Sequence, residues 1–373
     1  MARTPERITA ERDTRRVVLL VGTRMGLFTL ESDPARRRWE VRGPDLAGYE
    51  IYHAIHDARD PRWAYAAARH SVWGVHLYRS ADGGRTWDLL TESPHYPPET
   101  GRDLKAIWFL APGPDSEPAG LYAGIEPAGL FVSRDRGETW SAVDGLNEHP
   151  TNVTWQPAGG GLALHSIAFD PRDPAVRYAA LSAGGVYRSD DGGRTWAPKN
   201  AGVRADFLPA KHPEAGQCVH KMVVHPANPE RLYQQNHCGT YRSDDRGDHW
   251  EEITSGLPSD FGYPVAVDPI DPDAAFVIPE QSSHVRTTVD GRLRIYRTRD
   301  AGRSWTPLRR GLPQENVYIT VLREAMAADA LDPCGVYFGT SSGHLFASRN
   351  AGESWEMIAG FLPRVLSVEV AVL

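Results

Sequence analysis

The chain has 373 residues, with 41 Lys and Arg against 48 Asp and Glu, a net charge of −7, and 35 Gly plus 29 Pro. Its 41% hydrophobic content supplies a real core and excludes a disordered chain, and an acidic balance without a basic block argues against nucleic acid as the main partner. The apolar run Val17 to Val21 is too short to span a bilayer or to serve as a signal peptide, and three cysteines do not make a disulfide framework, so a soluble cytoplasmic protein is expected, with no membrane partner.

Taken in chain order, residues 1–15 read as a flexible extension ahead of three strands, Val17 to Val21, Leu27 to Leu30 and Trp39 to Arg42. Later units carry four strands each. In the unit that opens at Leu164 they are Ser166 to Phe169, Arg177 to Leu181, Val186 to Ser189 and a fourth starting at Thr195, separated by turn signals such as Asp170-Pro-Arg-Asp-Pro174. After the last complete unit, Val365 to Val372 is a strand with no partner in sequence. Pairing it with the three N-terminal strands completes a sheet and removes an open edge.

One motif punctuates every unit. Ser80-Ala-Asp82-Gly-Gly84-Arg-Thr-Trp87 returns with its acidic residue at Asp135, Asp191, Asp245 and Asp300, and a last copy has Asn350 there, at steps of 50 to 56 residues. A worn copy, Ser32-Asp33 followed by Trp39, brings the count to seven. The Asp carboxylate is expected to accept backbone N–H bonds within a hairpin turn, the Gly to supply a positive φ, and the Trp to pack against the neighbouring sheet. Asp190-Asp191-Gly192 is not a calcium loop, because no Glu stands at the twelfth position. Four-stranded units at this period predict an all-β chain forming a single seven-bladed β-propeller over residues 1–373.

The Ser/Thr-x-Asp-x-Gly-x-x-Trp boxes resemble the Asp-box, or bacterial neuraminidase repeat, β-propeller superfamily, which includes sialidases, xyloglucan-active glycosidases, sortilin-type receptors and photosystem II assembly factors. The resemblance implies the fold far more strongly than an activity. No Arg-Ile-Pro or Arg-Leu-Pro announces a sialidase arginine, so sialidase activity is not expected.

In a propeller, residues entering the innermost strand and residues ending the second strand gather at one channel mouth, opposite the boxes. The first slot reads His53, Lys105, His165, His220 and Tyr263, with His56 an alternative to His53. The second reads Arg24, His70, Glu126, Ser182, His237 and Glu280. Five imidazoles, His53, His70, His165, His220 and His237, suggest a divalent transition metal (Zn, Fe, Cu or Mn) and a metal-dependent small-molecule enzyme, with no organic cofactor. Glu126, Glu280 and Lys105 would be the catalytic groups, and Arg24, Tyr263 and Trp155 would bind substrate. Cys218 is a possible soft ligand and Cys218–Cys238 a possible bridge. Two alternatives stand beside this: a glycoside hydrolase using Glu126 and Glu280 as a carboxylate pair, with Trp155, Trp108, Trp73 and Tyr96 as sugar platforms, and a non-enzymatic binding scaffold. The sequence does not specify an oligomeric state.

Overall fold

The C-terminal strand Val365–Val372 lies antiparallel against Val17–Thr23, with Val372 opposite Val17, and Arg16 and Leu373 exchange backbone hydrogen bonds at 2.7 and 2.8 Å. This seam closes a ring of seven four-stranded antiparallel sheets, as expected. The computed structural model describes residues 15–157 and 159–373; apart from Arg15, the expected N-terminal extension lies outside the described residues. Going round the ring, the innermost strands are Val365–Val372, Glu50–His56, Ala106–Pro112, Leu164–Asp170, Val219–Val224, Gly262–Val267 and Met326–Ala328. These belong to blades one to seven.

The boxes build the turns between third and fourth strands. In the box at Asp191, the Ser189 hydroxyl donates to the carboxylate at 2.9 Å and accepts the Gly193 N–H at 2.8 Å. The same carboxylate accepts the Thr195 N–H and hydroxyl at 2.9 and 2.7 Å. Gly193 sits at φ 89°, where a side chain would be strained. In the last box Asn350 keeps two of these bonds as acceptor, from the Ser348 hydroxyl at 2.9 Å and the Ser354 N–H at 3.0 Å, and turns its amide to donate to the Ser354 hydroxyl at 2.9 Å. Two box tryptophans reach across to the preceding blade, Trp250 donating to the Lys199 carbonyl at 2.9 Å and Trp305 to the Ile253 carbonyl at 2.8 Å, whereas Trp140 and Trp196 donate to the glycine carbonyls of their own boxes. Between sheets, a buried ring stands on the second strand opposite the residue before the box Ser or Thr in blades two to seven: Tyr65, Tyr122, Tyr178, Tyr233, Phe276 and Tyr337. Burial of each ring contributes roughly 2–3 kcal/mol.

The worn first box has a different task. Arg36, at φ 55° in its turn, extends a buried guanidinium to Asp329 in blade seven, 3.1 and 3.0 Å from the two carboxylate oxygens. Asp329 also accepts the Tyr337 hydroxyl at 2.6 Å and the Gly335 N–H at 2.8 Å. Trp39 packs edge-on against Tyr337 at 5.6 Å. The seam is therefore pinned twice, once by a strand and once by an ion pair.

Candidate functional site at the channel mouth

Six innermost strands carry a bulge near the mouth. Their pairing slips between Ile51 and His53, Ile107 and Phe109, Leu164 and Ser166, Val219 and Lys221, and Gly262 and Val265, and in blade one opposite the Gly22–Thr23 step. A bulge sets two residues against one and re-aims a side chain. The extra residues are Tyr52, Trp108, His165, His220, Tyr263 with Pro264, and Leu366. This corrects the expected first slot. The equivalents of His165 and His220 are Tyr52 and Trp108, whereas His53 stands one place deeper, level with Phe109, Ser166 and Lys221. Lys105 is exposed ahead of its strand, its N–H on the Glu126 carbonyl at 2.8 Å.

A cavity of about 330 Å³ occupies the mouth. Tyr52, Trp108 and Tyr263 give it aromatic walls, and Arg24, Arg69, Arg323 and Arg364 give it positive charge. Arg24 and Arg69 share Glu50, at 2.9 and 3.6 Å. The Arg323 guanidinium lies 5.0 Å from the Trp108 ring centroid and 5.9 Å from that of Tyr263, and its buried Nη1 has no hydrogen-bond partner. Glu126 accepts the Trp108 indole N–H at 2.9 Å. Glu280, in blade six, is buried with both carboxylate oxygens unpartnered. Burial pushes its pKa up to about 7, against the weaker opposing pull of the Thr320 hydroxyl and the Arg286 and Arg364 charges. Arg24, Tyr263, Glu126 and Glu280 thus lie at or beside the mouth. Arg323 and Arg364 were not among the expected residues; they stand just ahead of the innermost strands of blades seven and one.

The five imidazoles do not converge on one point. His53 accepts the Leu110 N–H at Nδ1 (3.1 Å), so its Nε2 carries the proton and donates to Glu369 at 3.0 Å. His165 turns Nε2 to the Val219 carbonyl at 2.9 Å. His70, at the rim, accepts the N–H groups of Val72 and Trp73 at 3.1 and 3.2 Å and closes its own turn. Only His220 and His237 face each other, with ring centroids 5.7 Å apart. Burial first, and then the Arg323 charge, hold His165 and His220 well below the usual histidine pKa.

Below the mouth the channel is plugged. The ammonium of Lys221, over the Phe109 ring at 4.7 Å, pairs with buried Glu324. The His53–Glu369 pair stands nearby, and His53, Glu324 and Glu369 bring their polar atoms within 4.8 Å of one another. Two expected sugar platforms are core residues instead. Trp155 is buried with its indole N–H on the Tyr187 hydroxyl at 2.8 Å, and Tyr96 is buried with its hydroxyl on the Ala128 carbonyl at 2.7 Å, so neither offers a free ring face. Trp73 is exposed, and Trp108 is the platform that lines the cavity. Cys218, Cys238 and Cys334 are all buried and free; no bridge joins the first two.

Two family models match the chain: BNR/Asp-box repeat over residues 131–142, and Sortilin-Vps10 (sortilin, neurotensin receptor 3) over residues 185–321. An oligoxyloglucan-reducing end-specific xyloglucanase of Emericella nidulans is 27% identical over 220 residues, covering 51% of this chain and 26% of that protein. A probable enzyme of the same description from Neosartorya fischeri is 36% identical over 83 residues, 21% of this chain and 9% of that one. The chain therefore spans about a quarter or less of these relatives. Among solved structures, an ancestral GH74 enzyme superposes with a TM-score of 0.60 at 15% identity, over 87% of this chain and 38% of that one. A putative 6-phosphogluconolactonase of Bacteroides fragilis superposes at 0.60 and 11% identity, over 97% and 99%. YCF48 from Cyanidioschyzon merolae superposes at 0.52 and 13% identity, over 86% and 88%. At such identities the superpositions establish the fold alone.

Proposed function

We propose that this chain, a member of the Asp-box β-propellers, is a glycoside hydrolase whose channel mouth seats an acidic saccharide. The observation that carries this reading is the Arg323 guanidinium, stacked between Trp108 and Tyr263 with a buried N–H that has no partner. A buried unpaired donor is costly, and a ligand oxygen satisfies it. With Arg24 and Arg364 beside it, the group complements a carboxylate, which arginine binds through its planar fork. Trp108 and Tyr52 offer ring faces to a pyranose, as sugar sites require. The xyloglucanase relatives support carbohydrate as the substrate class, while the arginines point to an acidic sugar unit.

In this scheme Glu280 is the acid. Burial keeps its carboxyl protonated close to neutral pH, the state needed to hand a proton to the departing glycosidic oxygen. Glu126 takes a proton from the attacking water, whose oxygen forms the new bond to the anomeric carbon as the old C–O bond breaks. The Trp108 indole bond orients that carboxylate.

The test is a hydrolysis screen with uronic-acid-terminated oligosaccharides, neutral xyloglucan oligosaccharides and aryl glycosides. Acidic substrates should be turned over, and Glu126→Gln and Glu280→Gln should each lower kcat by about 10²–10⁴-fold while binding is kept. Turnover untouched by both variants, or preference for neutral substrates, would overturn the proposal. Binding without turnover of any substrate would reduce the site to a saccharide-binding scaffold.

A further inference from the structure

A second cluster lies beside the mouth in blade five, separate from the saccharide cavity. Cys218 stands just ahead of the innermost strand, His220 is that strand's bulged residue, and His237 follows the second strand. The Cys218 thiol and one ring nitrogen from each histidine all lie within 4.8 Å of one another. His220 directs Nδ1–H at the Gly262 carbonyl at 2.5 Å, which leaves Nε2 as a lone-pair donor. That backbone bond is the usual way in which a protein orients a ligating imidazole. The remaining walls are aromatic. The Phe261 ring stands 5.1 Å from both imidazoles, Phe207 5.4 Å from His237, and Tyr263 4.8 Å from His220.

We infer that Cys218, His220 and His237 bind one monovalent copper ion in a three-coordinate site. A thiolate with two imidazoles is a soft donor set that suits Cu(I) or Zn(II). Two features separate these ions. Structural Zn(II) almost always takes four ligands, whereas three converge here and Phe261 walls the site. The charge also decides. The Arg286 side chain lies 5.7 Å from the Phe261 ring, and the Arg323 charge is felt at both Cys218 and His220. Among these groups only Asp260 supplies an opposing charge, near His237. A thiolate with Cu⁺ is neutral overall, but with Zn²⁺ it leaves a net positive charge between two arginines. Binding releases the thiol proton to solvent, and no electron is transferred. At bond lengths of about 2.0–2.3 Å the donors need to close in by roughly 1 Å.

The experiment uses the full chain without a histidine tag, reduced and kept from oxygen, and titrates Cu(I) against a coloured Cu(I) chelator. One copper per chain is expected, with X-ray absorption showing one sulfur and two nitrogens. Cys218→Ser and His237→Ala should each weaken the affinity at least 100-fold, while His70→Ala should leave it unchanged. Because Cys218 is buried, the absorption spectrum of the unaltered protein reads the ligand set even if a variant unfolds. Absence of stoichiometric binding, a copper with no sulfur neighbour, or tighter binding of Zn(II) than of Cu(I) would overturn the assignment. Saccharide hydrolysis by metal-free protein is unaffected by any of these outcomes, so the two proposals stand or fall separately.

Discussion

The Arg323 guanidinium lies over the Trp108 ring at 5.0 Å and joins blade seven to blade three across the channel mouth. Neither residue makes this contact through its own sheet; the ring geometry alone brings them together. Their stack presents a flat cation beside a flat apolar surface, a combination that recognises a carboxylated sugar ring.

Removing that cation should weaken binding of an acidic saccharide without unfolding the protein. Arg323→Ala is expected to reduce affinity about 10- to 100-fold, the worth of one charge-assisted hydrogen bond. Arg323→Lys should recover little, because an ammonium neither stacks as a plane nor donates as a fork. Isothermal titration with a uronic-acid disaccharide at two salt concentrations reads both effects.

Glu280 makes stability fall as pH rises. Its carboxyl keeps a proton in the folded state up to about pH 7, whereas the unfolded chain loses it near 4.5, so between these values the native state binds more protons. The stabilisation is complete below 4.5 and has gone above about 7, a change of about 3 kcal/mol. Glu280→Gln should therefore match the parent protein in urea unfolding at pH 4 and exceed it at pH 8. An equal offset at both pH values would show that the carboxyl titrates normally.

His165 and His220 act in the opposite direction. Both are held neutral by burial, and unfolding lets them take up protons, so their contribution is present above about pH 6.5 and is lost as the solution becomes more acidic. His165→Gln should flatten the acid limb of the stability profile measured by thermal unfolding from pH 7 to pH 5.

The Arg36–Asp329 pair at the seam is buried, so removing one partner strands the other. Asp329→Ala should cost about 3–5 kcal/mol. Combining it with Arg36→Gly, which also relieves the positive φ, should cost less than the sum of the two single changes in a double-mutant cycle.

Each box hydroxyl also carries a measurable share of stability. Ser189→Ala leaves the Gly193 N–H without its acceptor in a half-buried turn and should lower stability by about 1–3 kcal/mol in urea unfolding.

The blades and their closure were legible in the sequence because turn chemistry recurs there in fixed positions. Asp82, Asp135 and Asp191 each stand two residues after a Ser and five before a Trp, and only a hairpin satisfies that pattern. The orphan strand at Val365 had one unpaired edge available to it. At the mouth the structure lies one residue from the simple alternation of the strands, because a bulge inserts a residue that alternation does not reveal. Shifting one residue exchanges the face, which is why His53 was expected where Tyr52 stands. A Pro- and Gly-rich connection such as that around Trp155 reads as exposed in sequence, yet its ring is buried and its indole N–H meets the Tyr187 hydroxyl inside the core. Arg323 and Arg364 precede the innermost strands of blades seven and one and share no register position with the slot residues of the other blades, so the repeat does not point to them.

The exchange of hydrogen bonds between Arg16 and Leu373 has a consequence for biosynthesis. The strand that completes the first sheet follows the six other blades in the chain, so the edge from Val17 to Thr23, buried throughout in the folded protein, waits unpaired while those blades are synthesised. Truncation anywhere upstream of Val365 leaves that edge open to pairing with other chains.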